Sequence, residues 1–329
     1  SDYNRRPAFS EARRLQNFMY DLIIIGGGPA GVAAGVYASR KKIHTLIITE
    51  SFGGQSEVSA DIQNWIGTKS ISGFDLANAL EEHIRAQESV TIVTSERVNM
   101  VMAEEEKEFR VSTDGGTVYR ARAVIVASGS RRRKLGVPGE DDYNGRGVAY
   151  CSTCDAPLFS GKDVAVVGGG NAGLEAALDL VPYAKKVYLL ERGPVLRGDP
   201  ITQEKVRGTG VSILINIETI KIVGDKENKF VAGLEYKDTK TNATKNLAVG
   251  GVFVEVGAVP NSDIVKDLVE LNKKGEIVID HRSGASSREG IWAAGDVTDA
   301  LFKQNNTSAG DAVKAALSVY NYLQNLEVK

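Results

Sequence analysis

Two cysteines occur in this 329-residue sequence, and both fall in one short stretch, Cys151-Ser152-Thr153-Cys154-Asp155. Two thiols at this spacing can close a disulfide, and a C-x-x-C arrangement draws the pKa of the attacking thiol down towards about 7. The adjoining carboxylate, Asp155, can relay the proton that dithiol exchange must move. The same Asp could instead cap a helix. Half a zinc site is another chemistry for the pair, but there is no second C-x-x-C, and the histidines (His44, His83, His281) are scattered. No metal is expected on that count. Two inert buried thiols remain the alternative.

Phosphate-holding chemistry is written twice. Residues 20–25 form an apolar, strand-like run leading into Gly26-Gly27-Gly28-Pro29-Ala30-Gly31. A helical stretch and a second strand follow, ending at Glu50. Residues 163–167 lead in the same way into Gly168-Gly169-Gly170-Asn171-Ala172-Gly173, then a helix and a strand ending at Glu191. First glycine to acid is 24 residues in one copy and 23 in the other, and the copies start 142 residues apart. A G-x-G-x-x-G between strand and helix, with an acid at this distance, is the dinucleotide fingerprint. Gly26 and Gly168 permit the tight turn, Gly28 and Gly170 let backbone approach a pyrophosphate, and Gly31 and Gly173 let helix and strand pack closely. The helix N-terminus supplies free N–H groups and a positive dipole end to the phosphates. The bland alternative is a pair of ordinary strand-to-helix turns; the fingerprint reading implies two dinucleotides.

The rest of the chain must position these groups. At roughly 150 residues per domain, 329 residues suggest about two domains, large enough to bury cores without disulfide staples. Lys and Arg number 40 against 42 Asp and Glu, with no basic block to track a phosphate backbone, so a nucleic-acid partner is not expected. No apolar run approaches the roughly 18 residues of a membrane span, and the polar start lacks the apolar segment of a signal peptide. Sparse cysteine points to a reducing compartment, the cytoplasm. Glycine, at 35 residues, is enriched over the usual share of about 7%. Close backbone approach is needed in several places.

The two fingerprints and the disulfide pair together resemble the flavoprotein disulfide reductases. In their glutathione reductase branch the cysteines follow the first fingerprint closely; here they lie just before the second, which resembles the low-molecular-weight thioredoxin reductases. The resemblance runs from Tyr20 onward and includes Phe52-Gly53-Gly54-Gln55, Asn64-Trp65, Ala127-Ser128-Gly129, Val137-Pro138-Gly139-Glu140, Gly145-Arg146-Gly147 and Ala293-Ala294-Gly295-Asp296. The flavin-carrying component of alkyl hydroperoxide reductase is similar too, and has a further N-terminal thioredoxin-like module that is not among these 329 residues.

The resemblance implies that the first fingerprint, with Pro29 and Ala30, holds FAD, with Glu50 on its ribose. Gly54, Gln55, Asn64 and Gly129 match flavin contacts, and Asp296, after Gly295, would bond the sugar-phosphate chain. Lys303 and Gln304 fall beside the isoalloxazine, ahead of a helix opening near Thr307 whose positive end favours anionic reduced flavin. Arg146 matches the residue that docks thioredoxin, with a solvated surface Arg as the alternative. Electrons would reach Cys154 from the flavin, and Cys151 would attack the partner's disulfide. The chain departs from the family at Ser128, where Thr is usual, and at Asn305-Asn306, where apolar residues are common. Residues 1–19 form an extension with no assigned role.

The nicotinamide donor is open. Family members that use NADPH read H-R-R-x-x-x-R after the second strand; this chain reads Glu191-Arg192-Gly193-Pro194-Val195-Leu196-Arg197. A carboxylate there accepts from a ribose 2′-OH and repels a 2′-phosphate, which favours NADH. Arg192 and Arg197 could still clamp the phosphate of NADPH if Glu191 turns away.

The expected fold is α/β, with two Rossmann-like, doubly wound domains, the second inserted in the first. Residues 1–129 and 258–329 would form the FAD domain and 130–257 the nicotinamide domain carrying the disulfide. Nicotinamide and disulfide would compete for one flavin region, so a rotation between two states is expected, hinged where the chain crosses. The expected activity is an NAD(P)H-dependent thioredoxin-disulfide reductase, a cytoplasmic homodimer. A dithiol oxidase of the same fold and a non-enzymatic redox sensor are the alternatives.

Overall fold

The computed structural model describes residues 18–58, 62, 64–104, 107–227 and 229–327; the backbone of 58, 153, 154 and 327 is described but their side chains are not. The extension up to Asn17 lies outside the described residues. The chain divides into two compact units, one built from residues up to 57, 61–131 and 259 onward, the other essentially from 132–258. The sequence places these crossings at 129/130 and 257/258; the units divide at 131/132 and 258/259. Two adjacent arginines account for the difference. Arg131 donates to Asn261 Oδ1 at 2.9 Å within the first unit, whereas Arg132 donates to Glu255 Oε2 at 3.1 Å within the second.

In the first unit, β1 (Met19–Gly27) runs into α1 (Pro29–Arg40), β2 (Thr45–Phe52), α2 (Gly73–Arg85) and β3 (Val90–Val93). Strands β4 (Val98–Ala103), β5 (Phe109–Thr113) and β6 (Val118–Val126) follow. The sheet order is β3-β2-β1-β6-β5-β4. Leu22 pairs in parallel with Thr45 on one side and Ala123 on the other. Leu22, Ile23 and Ile24 are fully buried, the continuous apolar signature of a parallel strand covered on both faces. α1 buries small residues (Ala30, Gly31, Ala34, Gly35, Ala38), so it lies close to the sheet. The chain leaves this unit through β7 (Ser130–Arg132) and returns through its partner strand β16 (Ala258–Pro260); the second visit then adds β17 (Ile291–Ala293) beside β6 and the long terminal helix Asn305–Glu327. That helix opens at Asn305, two residues before the expected Thr307.

The second unit repeats the plan. After β8 (Val148–Ala149) and the one-turn helix α3 (Ser152–Asp155) come β9 (Asp163–Val167), α4 (Asn171–Leu180) and β10 (Lys186–Glu191). α5 (Pro200–Arg207), β11 (Ser212–Ile215), the antiparallel strands β12 (Ile217–Gly224), β13 (Val231–Asp238) and β14 (Thr244–Leu247), and β15 (Gly251–Val254) complete it. Its parallel sheet has the order β11-β10-β9-β15-β8. The chain leaves β9 towards β10 on one side, and β15 lies on the other. The carboxyl ends of β9 and β15 therefore bound a topological switch point, where doubly wound sheets take their ligands. Among the described residues no helix is long and apolar enough to cross a membrane.

Candidate active site

The two glycine loops repeat in three dimensions as they do in sequence. Gly26 has φ +118° and Gly168 φ +124°, conformations that L side chains rarely adopt. A Cβ on Gly26 would overlap the Ala127 carbonyl, and one on Gly168 would overlap that of Glu255. Gly31 and Gly173 sit against the carbonyl oxygens of Gly26 and Gly168 in turn. The middle glycines differ in kind. The nearest atom to a Cβ on Gly28 would be Gly54 Cα at 3.9 Å, and Gly170 faces open space. Among the described residues nothing requires glycine at those two positions, whereas a ligand lying against the loop would.

The helices behind the loops are open in the same way. α1 and α4 have Gly28 and Gly170 at their N-caps and no side-chain cap. α2 and α5, by contrast, are capped by Ser72 and Asp199. The first-turn amides of α1 and α4 are thus left for an external acceptor.

In the first unit a cavity of 460 Å3 opens in front of the loop. Gly26, Gly28, Pro29, Ala30 and Glu50 line it from the fingerprint, and Gly54, Gln55, Gly129 and Asp296 from elsewhere in the chain. Gln55 Nε2 donates to Ser130 Oγ at 2.8 Å and to Asp296 Oδ2 at 3.4 Å. Asp296 accepts from Ser308 Oγ at 3.3 Å, and burial pushes its carboxyl above the usual range while Lys303 opposes that shift. Ser130 and Ser308 are absent from the sequence expectation, since neither belongs to a motif. The polar run Asn305-Asn306-Thr307-Ser308 opening an otherwise apolar helix is the signal that marks the second of them.

Other expected residues stand outside the cavity lining. Gly31 and Gly295 pack behind it. Lys303 turns its ammonium to the carbonyls of Thr298 and Asp296 and to Glu276 Oε1 at 3.2 Å. Asn64 donates to Gln304 Oε1 at 3.1 Å. Asn306 then grips both sides of Trp65, donating to the Asn64 carbonyl at 2.6 Å and accepting from the Ile66 amide at 3.3 Å. Asn305, which does line the cavity, accepts from Ser56 Oγ at 2.8 Å. The two asparagines that depart from the family pattern therefore tie neighbouring loops to the start of the terminal helix.

In the second unit Glu191 differs from its expected posture. It is 2% exposed, and its oxygens accept from the amides of Gly169 at 2.8 Å and Gly193 at 2.6 Å. Instead of projecting towards a ribose, the carboxylate turns beneath the glycine loop. Arg197 reaches it at 3.5 Å and Arg192 pairs with Glu218 at 3.0 Å, both arginines being largely exposed. Asn171 Oδ1 is engaged by the Asp199 amide at 2.6 Å, while Ala172 occupies the first turn of α4.

Cys151 immediately precedes α3 and is disulfide-bonded; Cys154, the only other cysteine, lies within the same turn. The Asp155 amide donates to the Cys151 carbonyl at 3.1 Å. Its side chain caps no helix, which removes that alternative role. Burial raises its carboxyl pKa, with Arg132 opposing. Ser152, between the cysteines, is buried and donates to Asp179 Oδ2 at 2.8 Å. Arg146 is exposed, donates to the Asp142 carbonyl and lies 5.9 Å from the Tyr143 ring centre.

This arrangement has clear relatives. The chain is 43% identical over 306 residues to the F component of the alkyl hydroperoxide reductase of Pseudomonas putida, and 40% identical over 305 residues to a Bacillus subtilis protein named NADH dehydrogenase. Those alignments take in 92% of this chain and 58% of each relative, so the chain spans little more than half the length of the curated proteins it matches. Among solved structures, Lactococcus lactis thioredoxin reductase is similar with a TM-score of 0.83 at 31% identity, over 93% of this chain and 99% of that one. T. acidophilum thioredoxin reductase is similar with a TM-score of 0.80 at 36% identity, over 92% and 98%. The doubled Rossmann-like fold is thus that of the thioredoxin reductases. With the model of the pyridine nucleotide-disulphide oxidoreductases matching residues 20–316, twin fingerprints and a disulfide between them find one explanation: the chain belongs to that family of oxidoreductases.

Proposed function

We propose that this protein is an FAD-dependent disulfide reductase that passes electrons from NADH or NADPH, through the flavin and the Cys151–Cys154 pair, to thioredoxin or a thioredoxin-like protein. The observation that carries this reading is the company of the cysteine pair. Cys151 shares a compact unit with the second fingerprint, next to an acid, Asp155, that caps nothing and holds its proton above the ordinary carboxylate range.

The residues present fit both dinucleotides. A Cβ on Gly28 would meet its nearest atom only at 3.9 Å and Gly170 faces open space, both before uncapped helices, and Glu50, Gln55 and Asp296 line the cavity of the first unit. Bound flavin supplies the exchange between a hydride and an electron pair that a disulfide can take. The chain's own residues do the rest. The Gly26 and Gly168 loops hold the pyrophosphates on backbone amides. Gln55 and Asp296 orient the sugar-phosphate chain. In the reduced pair the Cys151 thiolate attacks one sulfur of the partner's disulfide, expelling the other as a thiolate. Cys154 then attacks Cys151 in the mixed disulfide, releasing the partner as a dithiol, and Asp155 donates the proton the leaving thiolate requires. The sum is NAD(P)H plus a proton plus a protein disulfide giving NAD(P)+ and a protein dithiol.

NADH is the donor we favour. Relatives at 40% identity carry the name NADH dehydrogenase. Exposed Arg192 and Arg197 keep NADPH within reach. Steady-state turnover with each nicotinamide and a thioredoxin tests the whole reading. Nicotinamide-dependent reduction of the thioredoxin disulfide is expected, and flavin loading without any disulfide reductase turnover would overturn it.

A further inference from the structure

Glu255 is a buried acid that neither fingerprint calls for. It follows β15 directly, and its amide donates to the Val167 carbonyl at 2.8 Å, so it stands at the carboxyl end of the strand beside Gly168. Its Cβ lies 3.7 Å from where a Cβ on Gly173 would sit, which turns the side chain towards the first turn of α4. It is 8% exposed. Burying a carboxylate is costly unless the group is paired, and the sheet itself has no use for one there. Arg132 supplies the pairing: its Nη1 donates to the two oxygens of Glu255 at 3.1 and 3.4 Å.

The place and the chemistry of this pair point the same way. It lies at the switch point between β9 and β15, against the loop that would hold a pyrophosphate. A carboxylate beside a guanidinium presents an acceptor and a donor side by side. A primary carboxamide is the complement, with an N–H for the acid and a C=O for the arginine. An anionic group would meet Arg132 but also Glu255, with Glu175 and Asp179 of α4 adding repulsion. A neutral amide meets no such conflict.

We propose that Glu255 and Arg132 hold the carboxamide of the nicotinamide ring, making Glu255 a specificity-determining residue for the pyridine nucleotide. This rests on the reading that the second fingerprint binds that nucleotide. The acid accepts from the amide nitrogen, Arg132 donates to the amide oxygen, and the ring is thereby fixed in rotation about the bond to its ribose. The groups around the acid are Arg132 from β7 and Glu175 and Asp179 from α4; Asp155 acts on the same arginine. The carboxylate form is the competent acceptor, so the grip strengthens as pH rises through neutrality.

The test compares three ligands on the flavin-loaded protein: NAD+, its 3-acetylpyridine analogue, in which a methyl replaces the amide nitrogen, and ADP-ribose, which lacks the ring. Wild type should bind NAD+ about tenfold more tightly than the analogue, the worth of a charge-assisted hydrogen bond. In Glu255→Leu, which keeps the volume, that ratio should fall to near one while ADP-ribose affinity holds. Glu255→Ala serves if the leucine variant does not fold. An unchanged ratio in the variant, or equal losses for NAD+ and ADP-ribose, overturns the proposal and leaves the reductase reading standing. Wild type that binds none of NAD+, NADP+ and ADP-ribose removes the reductase reading itself.

Discussion

Gly31 packs so closely beneath Gly26 that a Cβ on it would overlap the Gly26 carbonyl oxygen, and Gly173 stands in the same relation to Gly168. Glycine at these positions serves the fold, whereas Gly28 and Gly170 serve whatever lies in front.

That division yields a contrast between two neighbouring substitutions. Gly31→Ala should destabilise the protein by about 3 kcal/mol or more, because backbone must shift to admit the methyl. Gly28→Ala has room, its nearest atom being 3.9 Å away, and an extended φ of −74° that alanine adopts freely. It should cost less than about 1 kcal/mol of stability yet weaken FAD binding at least tenfold. Thermal unfolding of the apoprotein and flavin titration measure the two. Equal effects of both variants on stability would show that the open space before Gly28 has no ligand role.

Cys151→Ser should leave reduction of bound flavin by the nicotinamide intact and abolish reduction of the protein partner, since only a thiolate attacks a disulfide. Asp155→Asn should keep the disulfide but slow partner turnover by about 10²- to 10⁴-fold, the usual worth of a positioned acid. Stopped-flow absorbance separates the two half-reactions. Full partner turnover in Cys151→Ser would make the pair structural.

Donor choice turns on Glu191 and its hold on the Gly193 amide. A Cβ at Gly193 would stand 3.0 Å from Glu191 Oε1, so an arginine enters there most easily once the acid is replaced. Glu191→His with Gly193→Arg should move the kcat/KM ratio towards NADPH by about 10- to 150-fold, the equivalent of one phosphate-clamping bond of roughly 1.5–3 kcal/mol. Wild type that already prefers NADPH strongly, with no change in the double variant, would mean that the buried carboxylate takes no part in the choice.

Glu255 also sets a pH dependence of stability. Burial pushes its pKa up from 4.5 to about 7; Arg132 opposes the shift, and Asp179 and Glu175 add to it. Between those values the folded state binds more protons than the unfolded state, so stability falls as pH rises from about 4.5 through about 7. The loss amounts to up to about 3 kcal/mol. Glu255→Gln removes it. The wild-type Tm, taken relative to the variant, should therefore be higher at pH 5 than at pH 8. A difference between the two proteins that is the same at both pH values would contradict this.

The order of the local elements was legible in the sequence. Strand, glycine loop, helix and acid follow one another within some 25 residues, and each copy folds as its spacing requires. Cys151 stands just before the one-turn helix Ser152–Asp155 and Cys154 lies within it, as near in the fold as in the sequence. The crossings between units needed the structure, because Arg131 and Arg132 are alike in sequence and differ only in which distant segment they meet. So did the inward turn of Glu191, decided by whether two backbone amides or solvent take its oxygens. Asn306 reaches across 242 residues to Asn64, and Arg132 across 123 to Glu255. Pairings of this kind carry no periodicity and no motif. They arise because each unit is closed by segments far apart in the chain, and only tertiary packing decides which side chains then stand within hydrogen-bonding distance.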